Sequence, residues 1–203
     1  MLATLSFDDG NPRDADVADM LRSHSIPATF YLVVGNIEDL QLKPEIYEDM
    51  EVGSHAGGSL YIYAGLCAPG AQITIVDDCT RGPEIVESAR FVMSALRKQG
   101  FQVRLIDCDS LYGDTIRKVQ ERVSTRRIDL LHLDADHRFA CVLSDLGTYG
   151  AMVREGGVVL LHDIADTPGP RAIYEAMAAI MPAQRWCYQP GRGIGMLRMR
   201  RPE

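Results

Sequence analysis

Met50-Glu51-Val52-Gly53-Ser54-His55-Ala56-Gly57-Gly58-Ser59-Leu60 opens a stretch that closes with Ile73-Thr74-Ile75-Val76-Asp77-Asp78. The order is apolar run, glycine-rich turn, apolar helical run, second apolar run, acid. It predicts a strand, a tight turn, a helix over Ser59 to Leu66 and a strand over Gln72 to Val76. Glycines at the turn let backbone approach a ligand without a Cβ in the way. The helix that follows offers free N–H groups and a positive dipole end. An acid at the tip of the second strand, roughly 20 residues on, suits a ribose diol. Asp77 and Asp78 both stand there, and either is a candidate.

The spacing Glu51-x-Gly53-x-x-x-Gly57 resembles the motif of class I S-adenosylmethionine (SAM)-dependent methyltransferases. A dinucleotide fingerprint would need Gly-x-Gly-x-x-Gly, and Ser54-His55 break that spacing. The turn candidates for cofactor contact are Glu51, Gly53, Ser54, Gly57 and Ser59. A plain strand-to-helix turn without ligand is the alternative, and the Glu before the turn and the acids after it weigh against it.

Outward from this stretch the alternation continues. Pro83 suits a helix start, and that helix runs to about Lys98, ending at Gly100. Strands follow at Phe101 to Ile106, Ile128 to Leu133 and Val158 to Leu161. Helices are expected at Tyr112 to Val123, at Phe139 to Val153 with Gly156-Gly157 as terminator, and at Pro170 to Ile180. Two closing strands, near Gln184 to Tyr188 and Gly195 to Met199, would make a hairpin. Strands alternating with helices imply an α/β fold, a parallel sheet with helices on both faces. The hairpin after the fifth core strand is what class I methyltransferases add, so the resemblance implies a Rossmann-like seven-stranded sheet. Ligands of such sheets bind outside the carboxyl ends of the strands.

Candidate residues fall at those ends. One strand ends in Asp107-Cys108-Asp109-Ser110. Asp109 and Ser110 would lie near an adenine in the methyltransferase reading, or would cap the helix beginning at Leu111. The next ends in His132-Leu133-Asp134-Ala135-Asp136-His137, and the one after in Leu161-His162-Asp163. Neighbouring strand ends would bring Asp134 and Asp163 together. Two close carboxylates repel unless a cation sits between them. Hard oxygen ligands suit Mg²⁺. His162 is a further candidate ligand, and its imidazole moves the preference toward a transition metal. Arg138 is the one basic side chain close by in sequence. His132 and His24 read as structural, and His55 as a turn residue, with a place near the cofactor's carboxylate or sulfonium as the alternative.

Gly53-Ser54-x-x-Gly57-Gly58-Ser59-Leu60, Asp134-x-Asp136-His137, Gly156-Gly157-Val158-Val159-Leu160-Leu161-His162-Asp163 and Gly193-Ile194-Gly195 recur in this order. They resemble the cephalosporin-hydroxylase-like methyltransferases, which are similar to metal-dependent sugar and macrolide O-methyltransferases. The likeness spans about residues 48 to 199. It implies Asp134 and Asp163 as metal ligands and His137 as general base, with a hydroxylated small molecule as acceptor. It also leaves a homo-oligomer open. Relatives often carry an acid where His162 stands. A histidine near neutral pKa can take a proton from a hydroxyl; capping is the alternative for His137.

The opening of the chain reads differently. Leu2 to Phe7 and Ala28 to Val34 are strand-like, with a helix over Asp14 to His24. Leu5-Ser6-Phe7-Asp8-Asp9-Gly10 and Pro27-Ala28-Thr29-Phe30-Tyr31 resemble the start of the polysaccharide deacetylases. That resemblance implies Asp8 as base and Asp9 as metal ligand, with His55 from Gly53-Ser54-His55. The second histidine of that family's motif is missing, because Ser59 stands at its place. The alternative for Asp8 and Asp9 is a turn or helix cap. The expected organisation is an appendage over residues 1–35 and a methyltransferase domain over 36–203. A SAM-binding module without turnover is the non-enzymatic alternative.

Composition bounds these readings. The 203 residues suit one α/β domain with a short appendage. A net charge of −7 offers no electrostatic support for a nucleic-acid partner. The late arginines Arg192, Arg198, Arg200 and Arg201 read as a solvated strand end. Five scattered cysteines without a Cys-x-x-Cys pair suit reduced thiols. No membrane partner is expected, since no apolar run nears the roughly 20 residues of a spanning helix. With acids already at Asp8 and no signal pattern, a cytoplasmic location is expected.

Overall fold

The computed structural model describes residues 48–123, 127–180, 185–188 and 192–199. The unit expected over residues 1–35, with Asp8 and Asp9, lies outside them, as do Arg200 and Arg201.

Strand β1 (Glu48–Val52) leads through the glycine turn into helix α1 (Gly58–Ala64), then β2 (Gln72–Asp77) and α2 (Pro83–Lys98). β3 (Gln102–Asp107), α3 (Gly113–Val123), β4 (Ile128–Leu133) and α4 (Phe139–Tyr149) follow. A 3₁₀ turn (Gly150–Met152) leads to β5 (Val153–His162), α5 (Pro168–Ile180), β6 (Arg185–Tyr188) and β7 (Ile194–Arg198). The strands form one seven-stranded sheet in the order β3-β2-β1-β4-β5-β7-β6. The first five are mutually parallel, and β7 runs antiparallel to both β5 and β6. The expected closing hairpin is therefore present, and its second strand lies inside the sheet.

Central β4 is buried along its whole length, as a strand covered on both faces must be. On one face Leu60 and Ala64 of α1 and Ala89, Val92, Met93 and Leu96 of α2 pack on Ile73 and Ile75. Their spacing in α2, with Pro83 first, Glu84 in the first turn and Arg97 and Lys98 in the last, is that of a well-formed amphipathic helix. On the other face Val119 and Val123 of α3, Val142, Leu146 and Tyr149 of α4 and Ile173 of α5 pack on Val52, Leu131, Val159 and Leu161. The β1–β4 junction thus has helices to either side.

The largest boundary difference lies between α4 and β5. The helix after Phe139 stops at Tyr149, not Val153, and the Gly156-Gly157 pair lies within β5. Val153 pairs with Ile128 but Val158 pairs with Leu130, so β5 bulges across the two glycines. A Cβ on Gly157 would stand 2.7 Å from the Val153 side chain, which only glycine avoids. No described helix is long and apolar enough to cross a membrane.

Candidate functional site

The turn after β1 is built against the ends of two neighbouring strands. Gly53 N–H donates to the Val76 carbonyl at 2.8 Å, and Asp134 N–H to the Val52 carbonyl at 2.8 Å. Gly53 has φ +84°, and a Cβ there would lie 2.4 Å from the Asp134 carbonyl oxygen. Gly57 (φ +87°) lets α1 lie against Ala89 and Val92 of α2. The turn thereby fixes the Asp134 loop as well as itself.

Asp77 is where an acid at the end of β2 was expected, but its carboxylate is engaged locally. Oδ2 accepts from Ser54 N–H (2.9 Å), His55 N–H (3.1 Å) and the Ser54 hydroxyl (3.4 Å), and Oδ1 from Cys79 N–H (2.8 Å). It holds the turn together. Ser54, His55, Cys79, Arg81 and Arg90 border a recess beside it. Asp78 is exposed and accepts from Thr80 N–H and hydroxyl.

At the end of β3, Asp109 Oδ1 accepts from Leu111 N–H at 2.8 Å, an Asx turn rather than a helix cap, since α3 begins only at Gly113. Ser110 faces inward. Its carbonyl accepts from the Tyr149 hydroxyl, and its own hydroxyl reaches Asp145 on α4. Asp145 escaped the sequence reading. It is buried, and its Oδ1 has no hydrogen-bond partner among the described residues. Burial, with Asp109 and Asp136 nearby, pushes its carboxyl up to about 6 despite the Ser110 contact.

Four side chains converge past β4 and β5. His137 Nε2 lies 3.2 Å from Asp134 Oδ1 and 3.3 Å from Asp163 Oδ2. His162 Nδ1 lies 3.3 Å from Asp134 Oδ1 and 2.8 Å from Asp163 Oδ1. One ligand atom from each of Asp134, His162 and Asp163 falls within 4.8 Å of the others. Two atoms of this cluster, His162 Nδ1 and Asp163 Oδ1, are buried without a well-aligned hydrogen bond among the described residues. Close polar atoms lacking hydrogen-bond alignment fit a divalent cation well. Asp163 itself has φ +60°, a strained value for a residue with a side chain. The expected trio is thus brought together, with His137 beside it and more open to solvent.

Burial alone would raise the Asp134 carboxyl; contacts with His137 and His162 outweigh it and hold it far below the usual range. Burial would likewise lower His162, but Asp134 and Asp163 raise it to about 10. The contact with Asp134 raises His137. Arg138 pairs instead with Asp136, away from this cluster. The cation that does approach is Arg192 of the β6–β7 connection, whose Nη1 stands 3.4 Å from Asp163 Oδ2. Its reading as part of a solvated strand end is corrected here, and Arg198 likewise donates to the Gly156 carbonyl. No local signal marked Arg192, because only the hairpin brings it to β5.

Glu51 is sealed beneath the turn. Its Oε1 accepts from the Ser59 hydroxyl and lies 3.1 Å from His132 Nδ1.

Residues 50–164 match a family described as methyltransferase domain, and residues 2–90 match polysaccharide deacetylase. The second match runs past the opening motifs into β1–α2, which in this structure are part of the seven-stranded sheet. The chain belongs to the methyltransferase-domain family. Its fold is that of solved methyltransferases. The O-methyltransferase TomG from Streptomyces achromogenes, in complex with SAM, has a TM-score of 0.63 and 14% identity over 97% of this chain and 92% of its own. An O-methyltransferase from Bacillus cereus in complex with SAH gives 0.55 and 16%, over 93% and 91%. CalS11, a TDP-rhamnose 3'-O-methyltransferase of calicheamicin biosynthesis, gives 0.55 and 18%, over 96% and 96%. No curated protein sequence matches the chain.

Proposed function

We propose that this methyltransferase uses SAM to methylate a hydroxyl of a small molecule, such as a sugar or glycosylated metabolite, with help from a divalent cation. The observation that carries the reading is the placement of His137, whose Nε2 lies within 3.3 Å of both Asp134 and Asp163. A candidate base and a candidate metal trio thus share one strand-end cluster, joined through Gly53 to the cofactor turn.

Glu51, Gly53, Ser54, Gly57 and Ser59 would shape the seat of the amino-acid end of SAM. Asp77 would reach the ribose with the acceptor capacity its turn contacts leave, since an ionised carboxylate offers about four lone-pair sites; Asp78 is the alternative. Asp109 and Ser110 would border the adenine. Asp134, His162 and Asp163 would hold the cation, which when bound lowers the pKa of a coordinated hydroxyl. In the reaction the acceptor oxygen attacks the SAM methyl in line, the O–CH₃ bond forms as the S–CH₃ bond breaks, and SAH leaves as a neutral thioether. With its Nε2–H held by the Asp134 and Asp163 carboxylates, His137 would take the hydroxyl proton at Nδ1. The chain's main contribution is to hold oxygen, carbon and sulfur in line.

The solved structure of MycE contains Mg, SAH and mycinamycin VI, and this chain covers 54% of its length. MycE and CalS11 support a sugar or glycosylated acceptor, and the net charge of −7 supports a small molecule over a nucleic acid. The deacetylase match supports residues 1–35 as an appendage before the methyltransferase domain, with deacetylation through Asp8, Asp9 and His55 as the second reading. Calorimetric titration with SAM, with and without Mg²⁺, tests the proposal. Saturable binding, then methyl transfer to hydroxylated acceptors seen by mass spectrometry, is expected. Absence of binding in both conditions overturns it and turns attention to deacetylase assays.

A further inference from the structure

Behind the glycine turn, Glu51 and Ser59 belong to a polar chain whose buried end, His132, has no part in the reading above. His132 on β4 stands opposite Glu51 on β1 in the parallel register. Both are 1% exposed. His132 Nδ1 lies 3.1 Å from Glu51 Oε1, and the Ser59 hydroxyl donates to the same oxygen. A carboxylate oxygen only accepts, so Nδ1 carries the proton. The Tyr63 ring lies 4.8 Å from the His132 ring, and His162 meets it edge to face at 5.9 Å. Each neighbour limits the freedom of the imidazole.

Ser59 differs from the other two in being partly accessible, in the first turn of α1. Its single hydroxyl proton is directed inward to Glu51. What it offers outward is therefore lone pairs. A hydroxyl so oriented accepts hydrogen bonds and does not donate them. The buried carboxylate behind it adds negative charge, and Glu51 Oε2 has no hydrogen-bond partner among the described residues. A carboxylate ligand would meet like charge here, whereas an ammonium group meets an acceptor and a compensating charge.

We propose that His132 is a positioning residue for the cofactor: it fixes Glu51, which turns the Ser59 hydroxyl into an acceptor for the α-ammonium of SAM. The inference rests on the SAM reading above. It assigns the ammonium, not the carboxylate, to the Ser59 side of the turn.

The test is calorimetric binding of three ligands to wild type and to His132→Leu. SAH carries both amino and carboxyl groups, decarboxylated SAM keeps only the amine, and 5'-methylthioadenosine has neither. His132→Leu is expected to weaken SAH and decarboxylated SAM about tenfold, the worth of one charge-assisted hydrogen bond, and to leave methylthioadenosine unchanged. His132→Asn, which can place an N–H near the Nδ1 position, is expected to restore binding, and His132→Gln to fail. The Asn and Gln pair also decides the matter if His132→Leu does not fold. Equal losses for all three ligands, an unchanged SAH affinity, or identical behaviour of the Asn and Gln variants would overturn the inference alone. If wild type binds none of the three, the SAM reading falls and this inference with it.

Discussion

The carboxylate of Asp77, at the end of β2, accepts the backbone N–H of Ser54, in the turn after β1, at 2.9 Å. The acid expected to serve a ribose is thus the clasp of the glycine turn. Asp77→Ala should weaken SAM binding at least tenfold and, by leaving turn N–H groups unpaired, lower stability by about 1–3 kcal/mol. Calorimetry and thermal denaturation read the two effects separately. Unchanged SAM affinity would transfer the ribose to Asp78.

Gly53 tests the turn itself. Its φ of +84° and the 2.4 Å approach of a would-be Cβ to the Asp134 carbonyl leave no room for alanine. Gly53→Ala should cost about 3 kcal/mol or more, because backbone must move on both sides. A melting temperature equal to wild type would mean that the turn is not packed against the Asp134 loop.

Removal of one metal ligand should separate two functions. Asp134→Asn is expected to abolish metal-supported turnover and to spare SAM binding. If activity survives, the cation has no part in the reaction.

The imidazole of His162 would give the proposed metal site a pH signature. Contacts with Asp134 and Asp163, overcoming burial, raise it to about 10. A metal ligand must be deprotonated, so a proton competes with the cation at every pH below that value. Apparent affinity for Mn²⁺ should rise with pH by about tenfold per unit from neutrality, with proton release visible as a buffer-dependent calorimetric enthalpy. Mn²⁺ should also bind more tightly than Mg²⁺, since one donor is nitrogen. Affinity independent of pH would remove His162 from the ligand set.

Asp145 governs stability in the opposite pH sense from an ordinary paired acid. Burial lifts its folded pKa to about 6, above the unfolded value near 3.9. The folded chain therefore binds more protons between those values, and stability falls as pH rises through them. Asp145→Asn should stabilise the protein at pH 7.5 by on the order of 2 kcal/mol and have little effect below pH 4. Equal melting shifts at both pH values would show that the carboxyl is not buried in its charged form.

Much of this architecture is legible in the chain itself. The alternation of apolar runs and amphipathic helices predicted the parallel sheet and its closing hairpin, because periodicity records which face of each element is covered. Gly53, Gly57 and the acids Asp77, Asp134 and Asp163 could be placed at strand ends for the same reason. The tertiary structure alone decided what those groups touch. Gly156 and Gly157 read as a helix stop, yet they lie in a bulge of β5, set by the pairing of Val153 with Ile128. Arg192 reaches Asp163 only through the antiparallel return of β7. Glu51 and His132 are 81 residues apart and meet because β1 and β4 are neighbours in the sheet. Local pattern specifies elements through contacts a few residues apart; which side chains share a site follows from strand order and register, and these are settled by packing of the whole sheet.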